Sequence, residues 1–157
     1  MKRIAVEVEI NVSAPIEHCF DVIVPVDLSR IFTGHLGLPA VIGQKDATGK
    51  WDAVGQTRIV MLSDKSEAQE VLLGYDRPHG FNYQVFDFTG SLRFLAQRAE
   101  GQWWFNDLGN GRTNIRWEYA FIPASNIAVP FITLVAKMLW RGYMRKALKA
   151  CKALVER

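Results

Sequence analysis

The amino-acid sequence predicts an α+β domain in which an antiparallel sheet is covered by one long C-terminal helix. Three observations carry this. Residues 3–12 alternate apolar and polar side chains. Five further strand-like runs follow one another at hairpin spacing between Gly55 and Pro123. The segment from Pro130 to Leu154 repeats apolar residues at the helical period. A hydrophobic content of 49% against 22% charged residues fits a globular chain and excludes a disordered tail. At 157 residues, with no repeat, linker or low-complexity tract, a single domain over 1–157 is expected.

Each element has its own signature. In the first strand Ile4, Val6, Val8, Ile10 and Val12 share one side. In SAPIEHCFDVI, Ser13 is placed to cap, Pro15 suits a first turn, and Ile16, Cys19, Phe20 and Ile23 recur at helical spacing, so a short helix ends near Pro25. VDLSRIF reads as a second short helix, and Gly34 to Gly55 as loop with a brief strand near Trp51. GQTRIVMLSD, EAQEVLLGYD, GFNYQVFDFTG, QRAEGQWWFND and RTNIRWEYAFIP then form an antiparallel meander, divided by Asp-Lys-Ser, Arg-Pro-His-Gly and Gly-Asn-Gly. The 25 residues from Pro130 to Leu154 make a helix about 37 Å long. Ile132, Ala136, Leu139, Trp140, Tyr143, Met144, Ala147, Cys151 and Leu154 share its broad apolar face, and Lys137, Arg141, Arg145 and Lys149 form a basic stripe.

Side chains alternate along strands, which sorts the rings into inward and outward sets. Thr113, Ile115, Trp117, Tyr119 and Phe121 face in, with Trp103 and Phe105 on the partner strand, while Trp104 faces out. Val71, Leu73 and Tyr75 line an earlier strand, and Phe81, Tyr83 and Val85 another. Continued alternation turns Asp87 inward; a bulge there would instead turn it out and bring Phe86 and Phe88 in. A curved sheet wider than its covering helix leaves a gap, which inward rings either fill or surround.

Several chemistries find no support. The net charge of +3 comes from scattered basic residues, which is no nucleic-acid footprint. Cys19 and Cys151 lie far apart without a CxxC spacing, as reduced, buried thiols of a cytoplasmic protein do. The start, MKRIAVEVEIN, lacks the continuous apolar run of a secretory signal, and IAVPFITLVA is too short to span a bilayer. HExxH, GxSxG, P-loop and EF-hand patterns do not occur, and His18, His35 and His79 are too dispersed for a metal motif, so neither metal nor cofactor is expected. Gly109-Asn110-Gly111 joins strand to strand and reads as a turn rather than a dinucleotide fingerprint.

The stretches VEINVSAPIEHCFDVI, VGQTRIVMLSD, YDRPHGFNYQVFDF and GRTNIRWEYAFIP, followed by the long helix, resemble the superfamily of polyketide cyclases, dehydrases and lipid-transport proteins (SRPBCC, START-like) over nearly the whole chain. The resemblance implies a helix-grip fold: a seven-stranded curved antiparallel sheet around the terminal helix, two short helices after the first strand, and a hydrophobic cavity between sheet and helix. The first functional expectation is binding or carriage of a hydrophobic small molecule such as a lipid, isoprenoid or polyketide-like compound. Tyr83, Trp103, Phe105, Trp117, Tyr119, Ile132, Leu139 and Tyr143 would line its site, with His35 at the mouth. The alternative is a cyclase or dehydratase that uses no metal or nucleotide. In it Asp87 or a tyrosine such as Tyr83 moves a proton and Arg58 steadies an enolate. A third reading is an interaction module whose cavity is filled by side chains. Fold alone does not choose among them. Phe131, Leu134 and Met138, ahead of the basic stripe, suit a membrane surface or a second subunit, and the outward Trp104 suits a homodimer contact.

Overall fold

The period-two pattern of the first residues does what it predicts: Ile4, Val6, Val8 and Val12 are buried, Ile10 is half-buried, and Ala5, Glu7, Glu9 and Asn11 are exposed. The computed structural model describes residues 2–157. Its seven strands are β1 (Ile4–Val12), β2 (Val41–Lys45), β3 (Thr57–Leu62), β4 (Glu67–Asp76), β5 (Gly80–Phe86), β6 (Ala96–Gly109) and β7 (Arg112–Pro123). They form one antiparallel sheet in the order β1-β7-β6-β5-β4-β3-β2, so the first strand lies beside the last. Between β1 and β2 come the helix α1 (Ile16–Ile23) and a 3-10 turn at Leu28–Arg30. The chain ends in a helical segment of 27 residues, built from α2 (Val129–Val135), a π-helical turn (Ala136–Trp140) and α3 (Arg141–Val155). This is the expected α+β helix-grip architecture.

The longest hairpin shows why the sheet forms as it does. β6 and β7 are joined through Gly109, Asn110 and Gly111, at φ of 81°, 56° and 71°. Glycine and asparagine reach this left-handed region at low cost, and tight hairpins need it. The pairing then sets Trp103 opposite Trp117 and Phe105 opposite Ile115, all buried on the helix side. At the α1 end the core closes solidly. Phe20 is fully buried and meets Phe105 and Tyr75, each at 5.3 Å, and Phe81 at 6.4 Å, all edge-on. Ile132, Ala136, Met144, Ala147, Leu148 and Cys151 supply the buried face of the terminal helix.

Four local expectations are corrected. Ser13 does not cap α1; Pro15 takes the N-cap position without a side-chain bond, and the Ser13 N–H donates to Glu156 Oε2 at 2.7 Å. The brief strand is Val41–Lys45, whereas Trp51 sits in the following loop at φ 60° with its indole buried. A bulge between Leu72 and Gly74 inserts one extra residue into β4. Ahead of it Ala68, Glu70 and Leu72 face in, Val71 and Leu73 face away, and Tyr75 returns to the core side. β5 ends at Phe86, and Asp87, at φ 53°, turns into solvent.

Candidate ligand-binding cavity

The sheet is wider than its helix, and the inward rings do not close the difference. A cavity of about 360 Å³ lies between β3–β7, the Leu28–Arg30 turn and its following loop, and the terminal helix around Val135–Tyr143. The rings divide between two tasks. Phe20, Phe105 and Phe121 fill the core, while Tyr83, Trp103, Trp117, Tyr119, Trp140 and Tyr143 stand in the cavity wall. Wall rings brace one another: Trp103 stacks on Trp117 at 4.6 Å, Trp140 on Tyr143 at 5.0 Å, and Phe32 on Tyr143 at 5.4 Å.

Tyr83 reaches the wall because its cross-strand partner is Gly101. A Cβ at Gly101 would overlap the Tyr83 ring, so the missing side chain is what seats the ring flat on β6. Burial raises the Tyr83 pKa, the Glu70 charge adds to the rise, and the neighbouring Trp103 and Trp117 oppose it. Burial likewise raises the Tyr119 pKa, reinforced by Tyr83 and Glu70. Both phenols are therefore protonated donors at neutral pH. Tyr143 is anchored instead: its hydroxyl donates to the Pro39 carbonyl at 2.8 Å, pinning the loop after the 3-10 turn to the terminal helix.

One charged pair interrupts the apolar wall. Arg58 of β3 and Glu70 of β4 are direct cross-strand partners, and Arg58 Nε donates to Glu70 Oε1 at 2.8 Å. Both side chains are almost completely buried. The guanidinium also lies 3.9 Å above the Trp51 ring, which explains why the loop folds that indole inward. Each member of so buried a pair offsets part of the other's desolvation cost.

Of the ligand-site residues expected from sequence, Tyr83, Trp103, Trp117, Tyr119 and Tyr143 line this cavity, as does Arg58. Phe105 and Ile132 are buried in the core instead. Leu139 is turned from the wall by the π-helical turn, whose wider winding presents Trp140 in its place. His35 packs against Gly142 outside the cavity, although its neighbours Gly37, Leu38 and Pro39 line it. Asp87 lies outside as well and accepts a hydrogen bond from Gln69 Nε2 at 3.0 Å; Phe88 takes the place in the wall. Glu70 and Trp51 were not foreseen. The pattern Ala68-Glu70-Leu72 held the signal for Glu70, but counting parity back from Tyr75 across the bulge inverted it.

Among the described residues no three His, Cys, Asp or Glu side chains group so as to hold a metal ion. No described helix is long and apolar enough to cross a membrane.

A seven-stranded sheet gripping a terminal helix around an aromatic-walled cavity defines the START-like, helix-grip class of fold. Residues 3–156 match the model of the family described as polyketide cyclase / dehydrase and lipid transport, and the chain belongs to that family. No curated protein matches it. Similar solved structures include Ara h 8.0201, at 14% identity, TM-score 0.71 and 98% coverage of both chains. A norcoclaurine synthase point mutant from Thalictrum flavum, in complex with a transition-state analogue, aligns at 17% identity and TM-score 0.72, covering 98% of this chain and 94% of that one. The protein XoxI from Bacillus cereus aligns at 14% identity and TM-score 0.67, covering 97% and 96%. At such identities the likeness concerns the fold.

Proposed function

We propose that residues 1–157 act as one cytoplasmic START-like domain that binds or carries a hydrophobic small molecule, of lipid, isoprenoid or polyketide-like type, between sheet and terminal helix. The observation that carries this reading is the cavity of about 360 Å³, walled by stacked rings that do not fill it. Each methylene transferred from water into such a space contributes about 0.8 kcal/mol before ordering costs. The same cavity supports this reading over that of an interaction module with a filled interior.

The test is native mass spectrometry of protein purified without detergent. A discrete small-molecule adduct, released on denaturation, is the expected result. If no adduct appears and a library of fatty alcohols, isoprenoids and aromatic ketones leaves the melting temperature unchanged, the reading is wrong.

The buried pair in the wall favours cyclase or dehydratase chemistry as a second reading. Arg58 would steady an enolate, and the carboxylate beside it is Glu70, not Asp87. In that case Arg58→Gln lowers turnover of a poly-ketone substrate far more than its affinity.

We further assign the start of the terminal helix to contact with an anionic bilayer. Ile127, Phe131, Leu134 and Met138 are 57–81% exposed there, and Lys137, Arg141 and Arg145 follow on the same segment. The cations supply the complementarity to anionic headgroups. Val135, between these apolar residues, lines the cavity, which places the surface beside a route for ligand.

A further inference from the structure

Residues 46–55 form the loop between β2 and β3, and all of them are exposed except Trp51, which is 4% exposed. Loops run over the surface, so one buried indole in such a stretch calls for a cause. Its backbone lies at φ 60°, a left-handed region that bulky side chains avoid. Such conformations persist where the surroundings over-determine them, and they cluster at binding sites. Here the loop is braced on both sides of the indole. Thr48 N–H donates to the Thr57 carbonyl at 2.9 Å, and Thr57 N–H donates to Thr48 Oγ1 at 2.8 Å. Asp52 N–H donates to Gln56 Oε1 at 2.9 Å, Gln56 Nε2 donates to Asp52 Oδ1 at 3.0 Å, and Gly55 N–H donates to the Leu72 carbonyl at 2.8 Å. The ring itself meets the Arg58 guanidinium at 3.9 Å, which Glu70 fixes in turn.

This indole separates two spaces. On one side is the cavity described above, which follows β3 from Arg58 to Asp64 and Ser66 in the turn beyond Leu62, a run of about 20 Å. On the other is a cleft of about 310 Å³ lined by Gln44, Ala47, Gly49 and Lys50. Trp51 and Arg58 are the two residues common to both linings, so the stacked pair is the partition between them. Arg58 is tied into the sheet through Glu70 at 2.8 Å. The indole, carried by the loop, is the part of the partition that a single substitution can remove.

We infer that Trp51 sets the length of ligand this protein accepts: its indole is the fixed end wall of the cavity, and without it cavity and outer cleft become one continuous site. This rests on the ligand-enclosing reading given above. An apolar chain gains affinity with each methylene it buries, and the gain stops where the chain meets a wall that cannot yield. The bracing of the loop makes Trp51 such a wall rather than a swinging lid. Length selection then belongs to one residue of the β2–β3 loop, while the rings of the sheet and helix hold the body of the ligand.

The test is equilibrium dialysis of the unaltered protein and of Trp51→Ala against saturated 1-alkanols from 1-octanol to 1-octadecanol. In the unaltered protein affinity is expected to rise about fourfold per methylene and then to stop rising at one chain length. In Trp51→Ala the break is expected to move to chains about three carbons longer, with the shorter alkanols bound as before. A merely structural role for the indole would weaken every chain length alike and leave the break where it was. An unmoved break in a variant with native near-ultraviolet circular dichroism overturns the inference, as does a rise in the unaltered protein that continues through 1-octadecanol. In either case the alkanols still bind, and the enclosing function survives. If no alkanol binds at any length, enclosure and inference fall together. Should Trp51→Ala not fold, Trp51→Phe keeps a ring against the guanidinium and is expected to move the break by about one carbon. An unmoved break in that variant overturns the inference equally.

Discussion

Cys151 sits fully buried on the inner face of the terminal helix, and burial pushes its thiol pKa up to about 12. The phenols of Tyr83 and Tyr119 are raised for the same reason. In the unfolded chain these groups lose their protons near pH 9 for the thiol and about pH 10 for the phenols. Above those values the unfolded state binds fewer protons than the native one, so stability must fall as pH rises, by about 1.4 kcal/mol per pH unit for each group. Urea unfolding between about pH 8 and 11 should show this decline beginning near pH 9. Cys151→Ala should reduce the slope by about one group's share; an unaltered slope would mean that the thiol ionises freely in the fold. Among single residues, alternation from the β6–β7 turn placed Trp103, Trp117, Tyr119 and Tyr83 correctly, because regular pairing propagates parity without error. Val71, Leu73 and Asp87 were misplaced because a one-residue bulge and a left-handed strand end each invert it.

At the scale of the element, the terminal helix is not uniform. The π-helical turn at Ala136–Trp140 rotates the inner face by part of a turn, so Trp140 reaches the cavity and Leu139 does not. The helical period in the sequence foresaw the length and the buried Met144, Ala147 and Cys151 well. It contained no sign of the wider turn, which depends on the packing of large rings against Tyr119, Phe121 and Tyr143. The outer face of the same segment can be tested directly. The double variant Phe131→Asp/Met138→Asp should lose at least tenfold in sedimentation with phosphatidylcholine–phosphatidylglycerol vesicles and keep its secondary structure. Vesicles of phosphatidylcholine alone should bind the unaltered protein weakly, since the basic residues would lack a partner. If vesicles are never bound and sedimentation equilibrium shows a dimer that the double variant dissociates, the surface belongs to a second copy of the chain.

For the whole molecule, cavity and stability oppose each other. The unfilled space forgoes packing contacts that a closed core would make, and Ala68, a small buried residue in the wall, marks a place where they can be restored. Ala68→Leu should lower affinity for any cavity ligand at least tenfold while leaving unfolding free energy unchanged or raising it by about 1 kcal/mol. Unchanged affinity, measured by dialysis, would place the ligand elsewhere. By itself the sequence determined the element types, the order of the meander, the long terminal helix and the inward aromatic strip, because those follow from periodicities written within a few residues of each other. Only the tertiary structure decided which rings close the core and which wall a cavity, and that Arg58 meets Glu70 inside it. Those outcomes depend on bulges, on register between strands far apart in the chain, and on where the helix comes to rest against the sheet.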